Sequence, residues 1–283
     1  MPRWNTVAII GVGLIGGSIG LALRKKGLAA EIVGIGRPQS GPNLEKAKQL
    51  GAITSSVTDM PQGMAAADVV IVCTPVGEIA NHILLAAKGS SDQTILTDAG
   101  STKAAIIRKV EAALKPGKRF VGSHPLAGSE KKSVEFARAD LFEGRVAIVT
   151  PTSRTKAADA KEIADFWSAL GSNVLTMSPE IHDLALAGTS HVPHLISAAV
   201  AANTPPADLP LTAGGWRDLT RIAAGDPALW TQILLENQAH VLKSLAGFEK
   251  KVTAFRTAIE RGDAAQLHAL LTEGKQVRDA LGD

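Results

Sequence analysis

Apolar residues arrive in two rhythms along the first 177 positions. Compact runs at 6–10, 32–35, 68–73, 94–97, 119–122, 146–149 and 173–177 read as strands, the first of them buried on both faces. Between them lie stretches with helical spacing: from the turn after Ile10 to about Lys26, then 44–50, 78–87, 103–114 and 156–170. Gly51 stops the second of these, and Pro116-Gly117 follows the fourth. Strands alternating with helices predict a mainly parallel sheet covered on both faces. From Ser178 onward the strand pattern stops. Ser178 opens a helix with Pro179 in its first turn, and Glu180 and Asp183 put negative charge near its N-terminus. Helical patterns then run almost to the end, broken at Thr204-Pro205-Pro206 and Gly214-Gly215. The expected organisation is an α/β domain over residues 1–177 followed by an all-helical domain over 178–283.

Composition narrows the class. With 45% hydrophobic and 20% charged residues among 283, the chain has the apolar content to order a core, which excludes a disordered polymer. Thirty basic against 27 acidic side chains leave a net charge of only +3, spread along the chain, so no nucleic-acid footprint is present. The pairs Lys25-Lys26, Lys131-Lys132 and Lys250-Lys251 read as solvated faces. A single cysteine, Cys73, excludes a disulfide framework and a cysteine-based zinc site, and its apolar run makes it a buried small hydrophobe. No uninterrupted apolar stretch reaches the roughly 20 residues of a membrane span. The glycines that follow the first apolar run do not make a signal peptide. A cytoplasmic protein is expected, with neither nucleic acid nor membrane as partner.

Gly11-Val12-Gly13-Leu14-Ile15-Gly16 is a G-x-G-x-x-G between a predicted strand and a predicted helix, the context that makes this pattern a dinucleotide site. The first glycine permits the tight turn and the second a close backbone approach to pyrophosphate. The third lets helix and strand pack, and the helix N-terminus offers free N–H groups. The expected fold is therefore a Rossmann-type domain. Leu14, Ile15 and the Thr74-Pro75 turn are counted with the cofactor site. The acid usually found about 20 residues on is absent: Gly36 stands there, followed by Arg37 and, nearby, Ser40. Without a carboxylate, and with an arginine beside the gap, a 2′-phosphate has room, so NADP is expected to be favoured over NAD.

Three further clusters carry chemistry. Asp98-Ala99-Gly100-Ser101-Thr102-Lys103 and Ser123-His124-Pro125-Leu126-Ala127-Gly128-Ser129-Glu130 each follow a strand, where an open parallel sheet forms its ligand crevice. Ser101 alone also fits the N-cap of the next helix. The third cluster is helical: His182-Asp183, Ser190-His191-Val192-Pro193-His194, and Gly214 through Arg221. On a regular helix His182 and His191 fall on opposite faces, and no H-E-x-x-H occurs, so no metal site is expected. Pro193 removes a helical hydrogen bond and is expected to bend the helix, turning His194 into a cavity.

Taken together the clusters resemble the prephenate/arogenate dehydrogenase family of tyrosine biosynthesis. The match runs in order through Gly11–Ser18, Asp98–Ser101, His124–Glu130, Ser178–Asp183, Ser190–His194, Arg217–Ala223, Asp226-Pro227 and Trp230. The resemblance implies hydride transfer from the hydroxyl-bearing ring carbon of prephenate to NAD(P), loss of CO2 and aromatisation to 4-hydroxyphenylpyruvate. Arogenate dehydrogenase and dual-specificity cyclohexadienyl dehydrogenase are the alternatives within it. By the same resemblance His124 is the catalytic histidine that helps remove the hydroxyl proton, and Ser101 holds that hydroxyl. Arg221 binds a substrate carboxylate and His194 contacts the side chain. Ser129, Glu130 and Asp218 belong to the substrate site and its gate. Gly214 and Asp218 lie on a segment reaching the partner subunit's site, and Trp230 borders the pocket. A homodimer is implied, with the helical half at its interface. The chain length leaves no place for the added regulatory or mutase domain some members carry. An imine or β-hydroxyacid dehydrogenase would need a helical lysine as its acid–base group. A non-catalytic NAD(P)-binding sensor would have no use for His124, Ser101 and Arg221 together.

Overall fold

A computed structural model describes residues 1–128 and 131–282. Its α/β part comprises β1 (Trp4–Ile10), α1 (Leu14–Lys25), β2 (Ala29–Ile35), α2 (Gly41–Gln49), β3 (Ser55–Val57), α3 (Met60–Met64), β4 (Val69–Val72) and α4 (Val76–Gly89). It continues through β5 (Ile95–Asp98), α5 (Ala104–Ala113), β6 (Arg119–Pro125), β7 (Val146–Thr150), α6 (Ala157–Leu170) and β8 (Asn173–Thr176). The strands form one sheet in the order β3-β2-β1-β4-β5-β6-β7-β8, parallel except where β6 meets β7. The order reverses between β1 and β4, which opens a crevice beyond their carboxyl ends.

The period of two along β1 explains the two cores. Val7 and Ile9 face one side with Ile19, Leu23, Phe166 and Trp167 of α1 and α6. Ala8 and Ile10 face the other with Ile79, Ile83 and Val110 of α4 and α5. Each fully buried valine or isoleucine contributes roughly 1.5–3 kcal/mol. Two elements escape the sequence pattern. The strand β3 is three residues of half-buried Ser-Ser-Val pairing only with β2, and α3 is a five-residue helix over Met60–Met64.

The chain after β8 is helical: α7 (Pro179–Leu186), a π-helical turn (Ala187–His191), α8 (Val192–Ala202), α9 (Gly214–Thr220), α10 (Pro227–Glu236), α11 (Gln238–Glu260) and α12 (Ala264–Asp279). Ser178 caps α7 as expected, its hydroxyl accepting from the Ile181 amide at 3.2 Å. Gly214-Gly215 begins α9 rather than interrupting a helix. The run Pro179–Ala202 is long and apolar enough by composition to cross a membrane, with a mean hydropathy of 1.3. Its buried Asp183, however, accepts hydrogen bonds from the start of α5. A small core of Ala187, Val192 and Val241 joins α8 to α11.

Pro193 sits in the first turn of α8, directly after the π turn. A proline has no N–H for the preceding turn, and the extra residue of a π turn absorbs that loss. The π turn also rotates the helix. The stretch between His182 and His191 is therefore not a regular helix, and both side chains are buried. The premise of a regular helix fails at this point. Among the described residues no group of histidines, cysteines and carboxylates is arranged to hold a metal.

Candidate active site

A cleft of about 910 Å³ separates the strand ends from the helical half. One wall is the glycine turn (Gly13, Leu14, Ile15), Thr74-Pro75 after β4, Ser101 after β5 and His124 at the end of β6. The opposite wall is His191, His194, Arg221, Gly225 and Trp230. The cleft thus brings together residues that are up to 220 positions apart in the chain, from Gly13 to Ile233.

The glycine turn fits a dinucleotide. Gly11 has φ +91°, and a Cβ there would meet the Cys73 backbone at 3.0 Å. A Cβ on Gly16 would lie 2.3 Å from the Gly11 carbonyl oxygen, so no side chain is admitted where helix and turn meet. The segment after β6 crosses this turn: the Lys132 carbonyl accepts from the Leu14 amide at 2.9 Å, and Lys132 Nζ pairs with Asp226 at 2.5 Å. Lys131 packs its ammonium over the Phe136 ring. Both lysines are exposed, as expected of a solvated face, and Lys132 also links the strand-end loop to the start of α10. Cys73 is part-buried behind the turn, where burial pushes its thiol pKa up.

Beneath His124 lies a buried polar framework. Lys103 is fully buried and its ammonium pairs with the Asp98 carboxylate and donates to the Ser123 carbonyl at 3.0 Å. Burial lowers the Lys103 pKa, partly offset by Asp98. Asp98 also accepts from the amides of Gly100 (2.9 Å) and Ser123 (3.2 Å). The Ser123 hydroxyl donates to the Asp98 carbonyl at 2.6 Å and accepts from Trp167 Nε1 at 2.9 Å. The residue immediately before His124 is thus tied to β5, α5 and α6. Ser101 is not the N-cap of α5, because Lys103 occupies that position; Ser101 instead lines the cleft.

His124 Nδ1 lies 2.9 Å from His182 Nε2, and His182 Nδ1 lies 2.8 Å from Asp183 Oδ1. The Asp183 carboxylate accepts from the Lys103 and Ala104 amides at 2.8 and 2.9 Å, at the N-terminus of α5. Asp183 therefore serves α5, not the first turn of its own helix. Burial alone would raise its pKa, but the His182 and amide hydrogen bonds pull it below the usual carboxylate range. Burial, with His182, Lys103 and His191 nearby, holds His124 well below the usual imidazole range. Burial also lowers His182, and takes His191 to about 4. His191 Nδ1 faces Asn237 Nδ2 at 3.1 Å, and that amide also donates to the Asp183 carbonyl at 2.7 Å.

The remaining sequence candidates divide cleanly. Arg221 is exposed on the cleft wall, and His194 stacks on Trp230. Gly36, Arg37 and Ser40 sit at the end of β2, beside the crevice rather than on the cleft wall; Arg37 is exposed. Gly214 and Asp218 lie on the exposed face of α9, outside this chain's own cleft. Ser129 and Glu130 lie outside the described residues. Sequence reasoning placed Lys103 in a candidate cluster without giving it a role, and missed Gly225 and the work of the His182-Asp183 pair. Only the adjacency of a histidine and an aspartate hinted at the last.

Residues 19–176 match the family model described as prephenate dehydrogenase, nucleotide-binding domain, and residues 178–273 match prephenate dehydrogenase, dimerization domain. The chain is 34% identical to a prephenate dehydrogenase of Bacillus subtilis (strain 168) over 98% of its own length and 76% of that protein's. Among solved structures it is similar to the prephenate dehydrogenase from A. aeolicus in complex with hydroxyphenyl propionate and NAD+, at 34% identity, TM-score 0.89 and 98% coverage of both chains. It is also similar to Synechocystis arogenate dehydrogenase, at 28% identity, TM-score 0.82 and coverage of 98% and 99%.

Proposed function

The chain belongs to the prephenate dehydrogenase family, and on that premise we propose that its cleft converts prephenate to 4-hydroxyphenylpyruvate and CO2. It is an NAD(P)-dependent dehydrogenase. The observation that carries the substrate reading is the meeting, in one cleft, of the glycine turn, the His124 imidazole and the Arg221 guanidinium.

When bound, the nicotinamide supplies the acceptor for hydride leaving the hydroxyl-bearing ring carbon. His124, bonded to His182 through Nδ1, presents Nε2 to the substrate hydroxyl. Nε2 takes up the hydroxyl proton as positive charge develops at that carbon. It returns the proton to oxygen as the bond to the ring carboxylate breaks, its electron pair enters the ring and CO2 leaves. A neutral imidazole is required for this, and burial of His124 keeps it neutral at pH 7. Ser101 holds the same hydroxyl from the neighbouring strand end. Arg221 binds a carboxylate with two parallel hydrogen bonds. The His194–Trp230 stack borders the side-chain end.

Three finer readings accompany this one. NADP is used at least as well as NAD, supported by Gly36 where an acid is usual and by Arg37 and Ser40 beside it. The protein acts as a symmetric homodimer through its helical half. Leu242, Val252 and Ile259 of α11 and Leu271 and Val277 of α12 are exposed apolar side chains, a density that suits a face covered by a second copy. Gly214 and Asp218, off their own cleft, suit a segment that serves the partner's site. A lone cysteine with no disulfide partner suits a reducing, cytoplasmic location.

Steady-state rates with prephenate and arogenate, each with NAD and NADP, test the reading. Prephenate turnover that falls on the order of 10²–10⁴-fold in His124→Asn, with the fold intact, is the expected result. Cofactor binding without turnover of either substrate would instead mark a nucleotide-binding sensor.

A further inference from the structure

The chain His124–His182–Asp183 runs inward from the cleft, and its hydrogen bonds can be given directions. Asp183 is ionised and has only acceptor atoms, already engaged by two backbone amides. The 2.8 Å contact to His182 Nδ1 therefore requires a proton on that nitrogen. A neutral His182 then has a bare Nε2, which can only accept. The 2.9 Å contact to His124 Nδ1 requires that His124 carry its proton there. His124 Nε2, the edge left to the cleft, is left bare.

We propose that His182 and Asp183 are positioning residues for the reaction, fixing His124 in the Nδ1–H tautomer so that Nε2 is always the acceptor facing substrate. The proposal rests on the reading of His124 as the proton acceptor given above. An isolated imidazole divides between two tautomers, and the one with Nε2–H could only donate to the substrate hydroxyl and could not take its proton. The framework is built for rigidity as well. Asp183 is held by α5, whose Lys103 is locked to Asp98 and Ser123, and His182 is fully buried. The charged and titratable groups around His124 are His182 of α7, His191 of the π turn and Lys103 at the start of α5, with Asp98 neutralising Lys103. None of them but His182 meets His124 with a hydrogen bond among the described residues.

The test is a long-range 1H–15N correlation spectrum of the histidine side chains in the full-length protein, with the His124 signals assigned by their loss in His124→Asn. Wild type should show His124 protonated at Nδ1 and bare at Nε2. His182→Phe, which keeps the ring volume and removes the acceptor, should give a mixture or the opposite tautomer. Its kcat should fall on the order of 10²-fold, with KM for prephenate changed less than about threefold. His182→Gln, whose carbonyl oxygen can accept from Nδ1–H, should recover most of the loss. A wild-type His124 carrying its proton on Nε2 overturns the proposal, and so does a folded His182→Phe enzyme with normal kcat. Because the wild-type spectrum by itself reports the tautomer, it decides the proposal even where a variant fails to fold. If the tautomer is as stated but neither substrate turns over, the proposed function fails and the hydrogen-bond assignment stands.

Discussion

His194 lies flat against Trp230, with ring centroids 3.5 Å apart and planes within 11°. Gly225 is what allows both rings to share one patch of the cleft wall. A Cβ at residue 225 would stand 2.5 Å from Trp230 Nε1 and 2.9 Å from His194 Cε1. The backbone there has an ordinary negative φ, so the requirement for glycine is one of space alone.

Gly225→Ala should therefore disturb the cleft without disturbing the backbone. The two rings must part, and the shift falls on the substrate wall rather than on the glycine turn. KM for prephenate should rise about tenfold, equivalent to ~1.4 kcal/mol of binding, while cofactor affinity stays within about twofold. Steady-state kinetics with cofactor titration will check this. An unchanged KM would mean that the stack does not border bound substrate.

Acid should unfold the protein earlier than its surface charge would suggest. His124, His182, His191 and His194 are all held below the usual imidazole value, chiefly by burial. Between their folded values and about 6.5 the unfolded chain binds more protons than the folded one, so stability falls as pH falls through that window. His191 alone, at about 4, accounts for roughly 3 kcal/mol across it. Asp183, held below its ordinary value, adds a further loss below about pH 4 in the same direction. Melting temperature should be nearly level from pH 8 to 6.5 and drop steadily towards pH 4. A level profile down to pH 4.5 would refute it.

Much of this site is legible in the chain because it is assembled from local patterns. A strand–glycine–helix passage marks the candidate nucleotide crevice, and strands followed by Ser101 and His124 mark the proposed reacting edge. What escapes is tertiary. Asp183 reads as a helix-start charge for α7, yet it bonds to the start of α5, about eighty positions earlier. Lys103 reads as part of a helical stretch, yet it is fully buried against Asp98. The faces of His182 and His191 do not follow the 100° rule, because a π turn ahead of Pro193 breaks it. The strand β3 is too short and too polar to register as a period.

The buried Lys103–Asp98 pair makes a sharp stability prediction. Lys103→Met leaves the buried Asp98 carboxyl group with only backbone partners, and should cost about 3–5 kcal/mol. Removing the charge as well, in Lys103→Met with Asp98→Asn, should restore at least half of that, because the amide oxygen can still accept one of the two backbone N–H groups. Urea unfolding of the single and double variants will measure both. A double variant no more stable than the single one would show that the strand-end framework depends on the charges themselves.

The proposed nucleotide preference rests on the residues at the end of β2. A carboxylate there would accept both ribose hydroxyls and repel a 2′-phosphate; Gly36 does neither. Arg37 stands exposed at the start of the turn over Pro38–Ser40, and can give a 2′-phosphate a charge-assisted hydrogen bond. Such a bond contributes ~1.5–3 kcal/mol, roughly ten- to a hundredfold in affinity, and exposure to screening solvent argues for the lower end. Arg37→Ala should thus weaken NADP about tenfold and leave NAD nearly unchanged. Gly36→Asp should reverse the preference towards NAD. Its Cβ would come within 3.0 Å of Ser40 Cβ and 3.1 Å of Leu44 Cδ1, so the variant must be checked by thermal melting before its kinetics are compared. The decisive quantity is the ratio of kcat/KM for NADP over NAD in wild type. A ratio of one or more is expected. A tenfold preference for NAD would reduce Arg37 to a solvated loop residue, and the loop would then have to bind the adenosine ribose without its help.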